Sequence, residues 1–222
     1  SGDAARFVPA LERLAAEPGT LAPGRALLAL AKLRGDAARA VLDRGREDKC
    51  WWLRARAYEA SGFLSDADTV LSAGLKDPDP RVAAQALETL AASSSTLAAP
   101  ALAAALADPA SPLEVRGSAA DAAVERKDPA LVPALLKALP FAVGPGSGEL
   151  RGSLRKALEA SAKPLATRDA AGLKRAVCHG ASLPRVECAA TAIGLKSSRP
   201  SSISSSDHER PCSASSPESC CR

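Results

Sequence analysis

Small apolar residues recur at helical spacing in six stretches of the chain. Taking Gly24, Leu53, Val82, Val115, Leu150 and Val186 as anchors, successive stretches lie 29, 29, 33, 35 and 36 residues apart. Four residues after the anchors stand Leu28, Ala57, Ala86, Ala119, Leu154 and Ala190, and seven after stand Ala31, Ala60, Thr89, Ala122, Ala157 and Ile193. Positions i, i+4 and i+7 share one face of a helix, so each stretch predicts a helix with a small, apolar side. Side chains this small let neighbouring helices approach closely.

Each anchored helix is preceded by a second helical pattern. These patterns cover roughly Ala4–Ala16, Asp36–Arg44, Ser65–Leu75, Leu97–Ala107, Pro129–Leu139 and Asp169–Cys178. Asp36, Ser65 and Asp128 are placed to cap helix starts, and Pro129 suits a first helical turn. Gly35, Gly45, Gly62 and Gly180 fall where helices should end. Asp77, Asp79 and Asp108 read as turn and cap residues. The unit is therefore helix, short turn, helix. One such pair cannot cover its own apolar face, so the pairs must stack. The expected fold is all-α: a right-handed α-solenoid of about six helix pairs over residues 1–196, followed by a tail at 197–222. The segment Lys196–Arg222 holds 11 Ser and no Leu, which predicts disorder.

Composition supports the helical reading. The 222 residues include 50 Ala and 29 Leu, and aromatics make up 3%. Ala and Leu are strong helix formers, while strands draw on β-branched and aromatic residues, so a sandwich or barrel is excluded. The net charge of +4 and the pI near 8.8 are mildly basic, without the clustering of Lys and Arg that nucleic-acid binding requires. No apolar run reaches the roughly 20 residues of a membrane span. The start at Ser1 reads as a processing boundary, which leaves the compartment open between cytoplasm and periplasm.

The anchored segments resemble HEAT-like repeats of the short bacterial kind, whose pattern runs Asp-Pro, a few residues, Val-Arg and then an Ala-rich helix. Asp108-Pro109 with Val115-Arg116 carries the whole pattern, and Leu53-Arg54 and Leu150-Arg151 carry the dipeptide. Val82 and Val186 depart from it: Ala83 and Glu187 follow them, with Arg81 and Arg185 in front. The tetratricopeptide solenoid fits less well, because its repeat holds to 34 residues. The resemblance implies an Arg–Asp ladder between repeats and a protein-binding role. It also implies an alternative, the helical segment of a larger bacterial enzyme, for example beside a cyclophilin-type prolyl isomerase domain.

Chemistry-bearing residues are few. Trp51-Trp52 holds both tryptophans, and Trp52 occupies the position at which other units carry Arg81, Glu114, Glu149 and Arg185. That position should face solvent, which makes Trp52 a candidate interface anchor. Packing between repeats or under Arg25 or Arg54 is the other reading of the pair. Arg54, Arg56, Arg81, Arg116, Arg151, Arg155 and Arg185 lie near the starts of second helices. They form either a stripe facing an acidic partner or the structural ladder. Cys178 and Cys188 flank a turn and are either a disulfide or two buried thiols. Cys50 has no evident partner. The spacing of Cys178, His179, Cys188 and His208 matches no zinc motif. Gly144–Gly148 follows no strand and reads as a loop rather than a phosphate cradle.

The sequence thus predicts a non-catalytic protein-binding scaffold with no cofactor and no metal. Its partner is a protein or peptide, with an acidic one suggested by the Arg stripe, and not nucleic acid. Trp52, Trp51, Arg54, Arg81, Arg116 and Arg151 are the expected partner-binding residues.

Overall fold

The computed structural model describes residues 6–19, 21–144 and 146–166. Among them every regular element is helical: α1 (Val8–Ala16), α2 (Leu21–Arg34), α3 (Arg39–Arg46), α4 (Trp51–Ser61), α5 (Ala67–Gly74), α6 (Pro80–Ala92), α7 (Ala98–Ala107), α8 (Leu113–Arg126), α9 (Val132–Ala138) and α10 (Ser147–Ala166). Short 3-10 segments at Gly35–Ala38, Pro129–Leu131 and Leu139–Phe141 lead into or extend the first helices. The helices form five pairs. The expected sixth pair, the Cys178–Cys188 turn and the tail at 197–222 all lie outside the described residues.

Local chemistry sets the helix ends. The Asp79 carboxylate accepts a bond from Arg81 N at 3.0 Å, and Pro80 opens α6 with the φ that a first turn needs. Asp128 caps in the same way through Ala130 N at 2.9 Å, ahead of Pro129. Gly35 ends α2 with φ +53°, a left-handed conformation that favours glycine. Lys127 takes the same conformation after α8, with φ 53°, at a position where the sequence shows no glycine.

Three of the expected caps work differently, Ser65 among them, since Asp66 stands at the N-cap of α5. Asp36 does not cap its own helix; its Oδ1 accepts from the backbone N of Ser65, 3.0 Å away in the next pair. Gly45 lies inside α3 rather than at its end, where a Cβ would stand 2.9 Å from Leu27 and 3.0 Å from Ala57. Its missing side chain lets α3 close on its neighbours.

The second helices pack in sequence order, α2 on α4, α4 on α6, α6 on α8 and α8 on α10, and each first helix packs on its own partner. The core lies between these layers. Leu27, Leu30, Leu42, Ala57 and Ala60 fill its N-terminal part, and Leu102, Leu106, Ala119, Ala123, Leu135, Leu150, Leu154 and Ala157 its C-terminal part. Ala57, Ala86, Ala119 and Leu154, all four residues after an anchor, are completely buried. The seven-after positions are less uniform. Ala31, Ala60 and Ala157 are buried, whereas Thr89 and Ala122 are half-buried and the next residues, Leu90 and Ala123, take the core. Leu28 in the degenerate first unit is also half-buried, with Leu27 inside.

Close approach between second helices makes enlargement costly. Ala86→Leu and Ala119→Leu should each lower stability by about 1–3 kcal/mol through overpacking. Urea unfolding monitored by circular dichroism reads this; neutral behaviour at both sites would place the repeat register elsewhere.

Candidate functional site

The side of the second-helix layer that faces away from the first helices carries a regular grid. On α4 and the turn after it, the set is Trp52, Arg56, Glu59 and Phe63, spaced as successive turns of one face. The matching sets are Arg81, Gln85, Glu88 and Ala92 on α6, and Glu114, Ser118, Asp121 and Glu125 on α8. On α10 the set is Glu149, Ser153, Lys156 and Ala160. All of these residues are exposed or half-buried. Side-chain bonds across the layer tie the sets together: Arg56 Nη2 donates to Gln85 Oε1 at 3.5 Å, and Ser118 Oγ donates to Glu88 Oε1 at 2.6 Å.

Trp51 and Trp52 stand at one end of this grid, at the start of α4. Their rings meet edge to face with centroids 5.7 Å apart and planes at 86°. The Arg56 guanidinium lies 4.4 Å from the Trp52 ring centre, and that of Arg81 lies 3.7 Å from the Trp51 ring centre. Arg56 also pairs with Glu59, and Arg81 with Asp79 at 2.7 Å. Both indole N–H groups are shielded from solvent with no hydrogen-bond acceptor. Trp52 is half-buried rather than solvent-facing, and it packs against the Leu27–Leu42–Ala57 core. Its counterparts Arg81, Glu114 and Glu149 are exposed, as the repeat register predicts.

The expected Arg stripe divides into separate structural ties. Arg54 donates Nε and Nη2 to both carboxylate oxygens of Asp77 at 2.9 Å, and Nη1 to the carbonyls of Asp48 and Lys49. Its side chain is 15% exposed and that of Asp77 6%, so this fork joins two repeats away from solvent. Arg116 donates to the Phe141 carbonyl in the next repeat at 3.4 Å, and Arg151 donates to the Ala142 carbonyl at 2.6 Å. Both lie against the connection between α9 and α10. Arg54, Arg116 and Arg151 therefore have donors committed within the fold. Arg81 keeps a side chain 46% exposed over Trp51.

Ionisation follows these contacts. The hydrogen bond from Arg54 to Asp77 raises the Arg54 pKa further above its ordinary value. The Arg81 guanidinium holds the Asp79 carboxyl below the usual carboxylate range. Asp36 is likewise lowered by the Ser65 backbone N–H, and Asp66 by Arg39, its inter-repeat partner at 2.5 Å. Burial pushes the Tyr58 phenol up.

Two features escaped the sequence reading. Arg126 Nη1 bonds the carbonyls of Ala91 and Ser93 at 2.7 and 3.1 Å, satisfying the end of α6 from the following repeat. Nothing in the dipeptide pattern marks that residue. Cys50, at the mouth of α4, is 7% exposed and disulfide-bonded.

Residues 69–141 match the family model of HEAT repeats, so this segment carries HEAT-like repeats. They cover most of α5 and all of α6 to α9, including Asp108-Pro109 and Val115-Arg116. No curated protein matches the chain. HEAT repeats generally act as protein-interaction scaffolds rather than as catalysts. Among the described residues no helix is long and apolar enough to cross a membrane.

The Arg54–Asp77 fork yields a direct test. Arg54→Ala leaves a largely buried carboxylate unpaired and should lower stability by about 2–3 kcal/mol. Arg54→Lys keeps the charge but loses the fork, so an intermediate loss is expected in thermal unfolding.

Proposed function

We propose that the chain is a non-catalytic scaffold that binds a protein or peptide across the outer face of its second helices. The Trp51–Trp52 pair at the start of α4 acts as the anchor. The observation that carries this reading is the setting of that pair. Two aromatic rings are held at right angles, each overlain by a guanidinium, at the end of an otherwise polar and accessible face. Trp and Arg are over-represented among the residues that carry most of the binding energy at interfaces. Arg56 and Arg81 are the arginines in contact with the rings. Arg54, Arg116 and Arg151 belong to the site as positioning residues, since they fix the loops from which the second helices start.

A protein partner suits this face better than nucleic acid. Phosphate recognition needs cations directed outward. Here Arg56 and Arg81 already pair with Glu59 and Asp79, and carboxylates outnumber cations on the grid. The argument for an acidic partner rested on the Arg stripe, of which Arg54, Arg116 and Arg151 are engaged within the fold.

Replacing Trp52 tests the anchor. Immobilised wild-type chain, Trp52→Phe and Trp52→Ala are used to capture partners from source lysate, and the captured protein is then titrated against each. Trp52→Ala should weaken binding by about 2 kcal/mol or more. It should also cost about 1–2 kcal/mol of stability, because the ring packs on the core. Trp52→Phe should fall between. Unchanged affinity alongside a stability loss would make Trp52 a core residue only and place the binding surface elsewhere.

A further inference from the structure

Cys50 stands at the N-cap of α4, three residues before its anchor, where the same register position before α6 holds Asp79. Asp79 caps its helix with its carboxylate, whereas Cys50 makes no side-chain cap bond. Neighbouring groups hold the Cys50 backbone instead. The Asp48 carboxylate accepts from Cys50 N at 2.7 Å, and Arg54 Nη1 donates to the carbonyls of Asp48 and Lys49. Capping therefore does not account for the cysteine; a covalent bond does, since Cys50 is disulfide-bonded. The chain has six cysteines. The other five, Cys178, Cys188, Cys212, Cys220 and Cys221, all fall in 167–222, outside the described residues.

A disulfide holds its two Cα atoms about 6 Å apart, so the bonded segment passes beside the first turn of α4 and its two rings. The indole N–H groups of Trp51 and Trp52, which have no acceptor, point the same way. Main-chain carbonyls of a segment laid on the pair supply what they lack. The chain is long enough to make the return. Second helices run parallel: Arg81 at the start of α6 covers Trp51 at the start of α4, and Arg126 at the end of α8 bonds the end of α6. The end of α10 thus lies about 30 Å along the stack axis from the level of Cys50 and three helix spacings of about 9 Å across, or about 40 Å away. Cys178, 12 residues beyond Ala166, covers about 40 Å only when fully stretched. Cys188 and the three cysteines after it reach well beyond that distance.

We infer that the C-terminal segment, residues 167–222, is fastened by a disulfide to Cys50 and is the resident occupant of the Trp51–Trp52 edge, which oxidation covers and reduction opens. The fastening stands apart from the scaffold reading; its consequence for a partner rests on that reading. A segment tied at the neighbouring residue is presented to the rings at an effective concentration on the order of millimolar, so a partner at lower concentration competes poorly until the tie is cut. The bond forms by exchange with a small-molecule disulfide. One protein thiolate displaces one thiol from it, and the second protein thiolate displaces the other from the mixed disulfide. Two protein thiols thereby lose two protons and two electrons as one S–S bond forms, and the small disulfide leaves as two thiols. A dithiol reverses the step.

The test uses the intact chain, treated with oxidised glutathione, alkylated with iodoacetamide and digested with trypsin without reductant. Mass spectrometry should find the peptide Cys50–Arg54 joined to one from 176–222, with Val186–Lys196 or Ser197–Arg222 expected from reach, in material that runs as a monomer on a non-reducing gel. Recovery of Cys50–Arg54 in alkylated form, or joined to a second copy of itself, overturns the inference. Trp51 and Trp52 are the two tryptophans of the chain, so indole fluorescence reads this edge alone. Acrylamide quenching should rise on the order of two-fold when a dithiol reduces the wild-type chain and the tether's effective concentration is lost. Cys50→Ser should quench like the reduced chain with or without the dithiol. If circular dichroism shows that variant unfolded, reduced and alkylated wild-type chain takes its place. Quenching that reduction leaves unchanged means the pair is not covered, and overturns the inference. Neither readout involves a partner, so failure here leaves the scaffold reading to be decided by the Trp52→Ala titration.

Discussion

Everything in this chain depends on how closely the second helices approach one another. Ala57, Ala86 and Ala119 meet their neighbours with no exposed surface, and Leu154 continues the row on α10. Alanine gives little apolar area per residue, so the stabilisation comes from repetition and from dispersion contacts at short range. No single pair buries enough to persist alone. Glycine does the same work where even a methyl group is too large, as at Gly74, where a Cβ would stand 2.7 Å from the Tyr58 ring. First helices then fill the remaining side, with Leu42, Leu71, Leu102, Leu106 and Leu135 pointing inward.

That constraint explains why several of the arginines reach into the loops between repeats. Backbone groups at the loops between stacked helices are drawn towards the interior and need partners. Arg54, Arg116, Arg126 and Arg151 supply them, reaching carbonyls or a carboxylate that small side chains could not. Asp36 does the same for the amide of Ser65. Polar chemistry is thus used to register one repeat against the next. The face left over is the outer grid, whose side chains are exposed or half-buried and, apart from Trp52, lie off the core.

The helix pairs, the anchors and the four-after row were legible in sequence because helical period and burial coincide there. Legibility fell where two roles compete for one residue type. An arginine after an anchor reads the same whether it forms a ladder or meets a partner; only the 6% exposure of the Asp77 side chain separates the two. Asp36 carries a capping signal but uses it across the repeat boundary, a contact with no local trace. Trp52 sits in a solvent-facing register, yet its ring is large enough to fold back onto the core from that position.

Amide hydrogen exchange of the intact chain, followed by mass spectrometry on overlapping peptides, tests the central claim that the second-helix stack is the spine of the fold. Slow exchange should concentrate in α4, α6 and α8 and be lost together on mild denaturation, because each is held by neighbours on both sides. The first helices α5 and α7 should open earlier. Protection that is greatest in α5 and α7, with α6 exchanging independently of α4 and α8, would contradict the account.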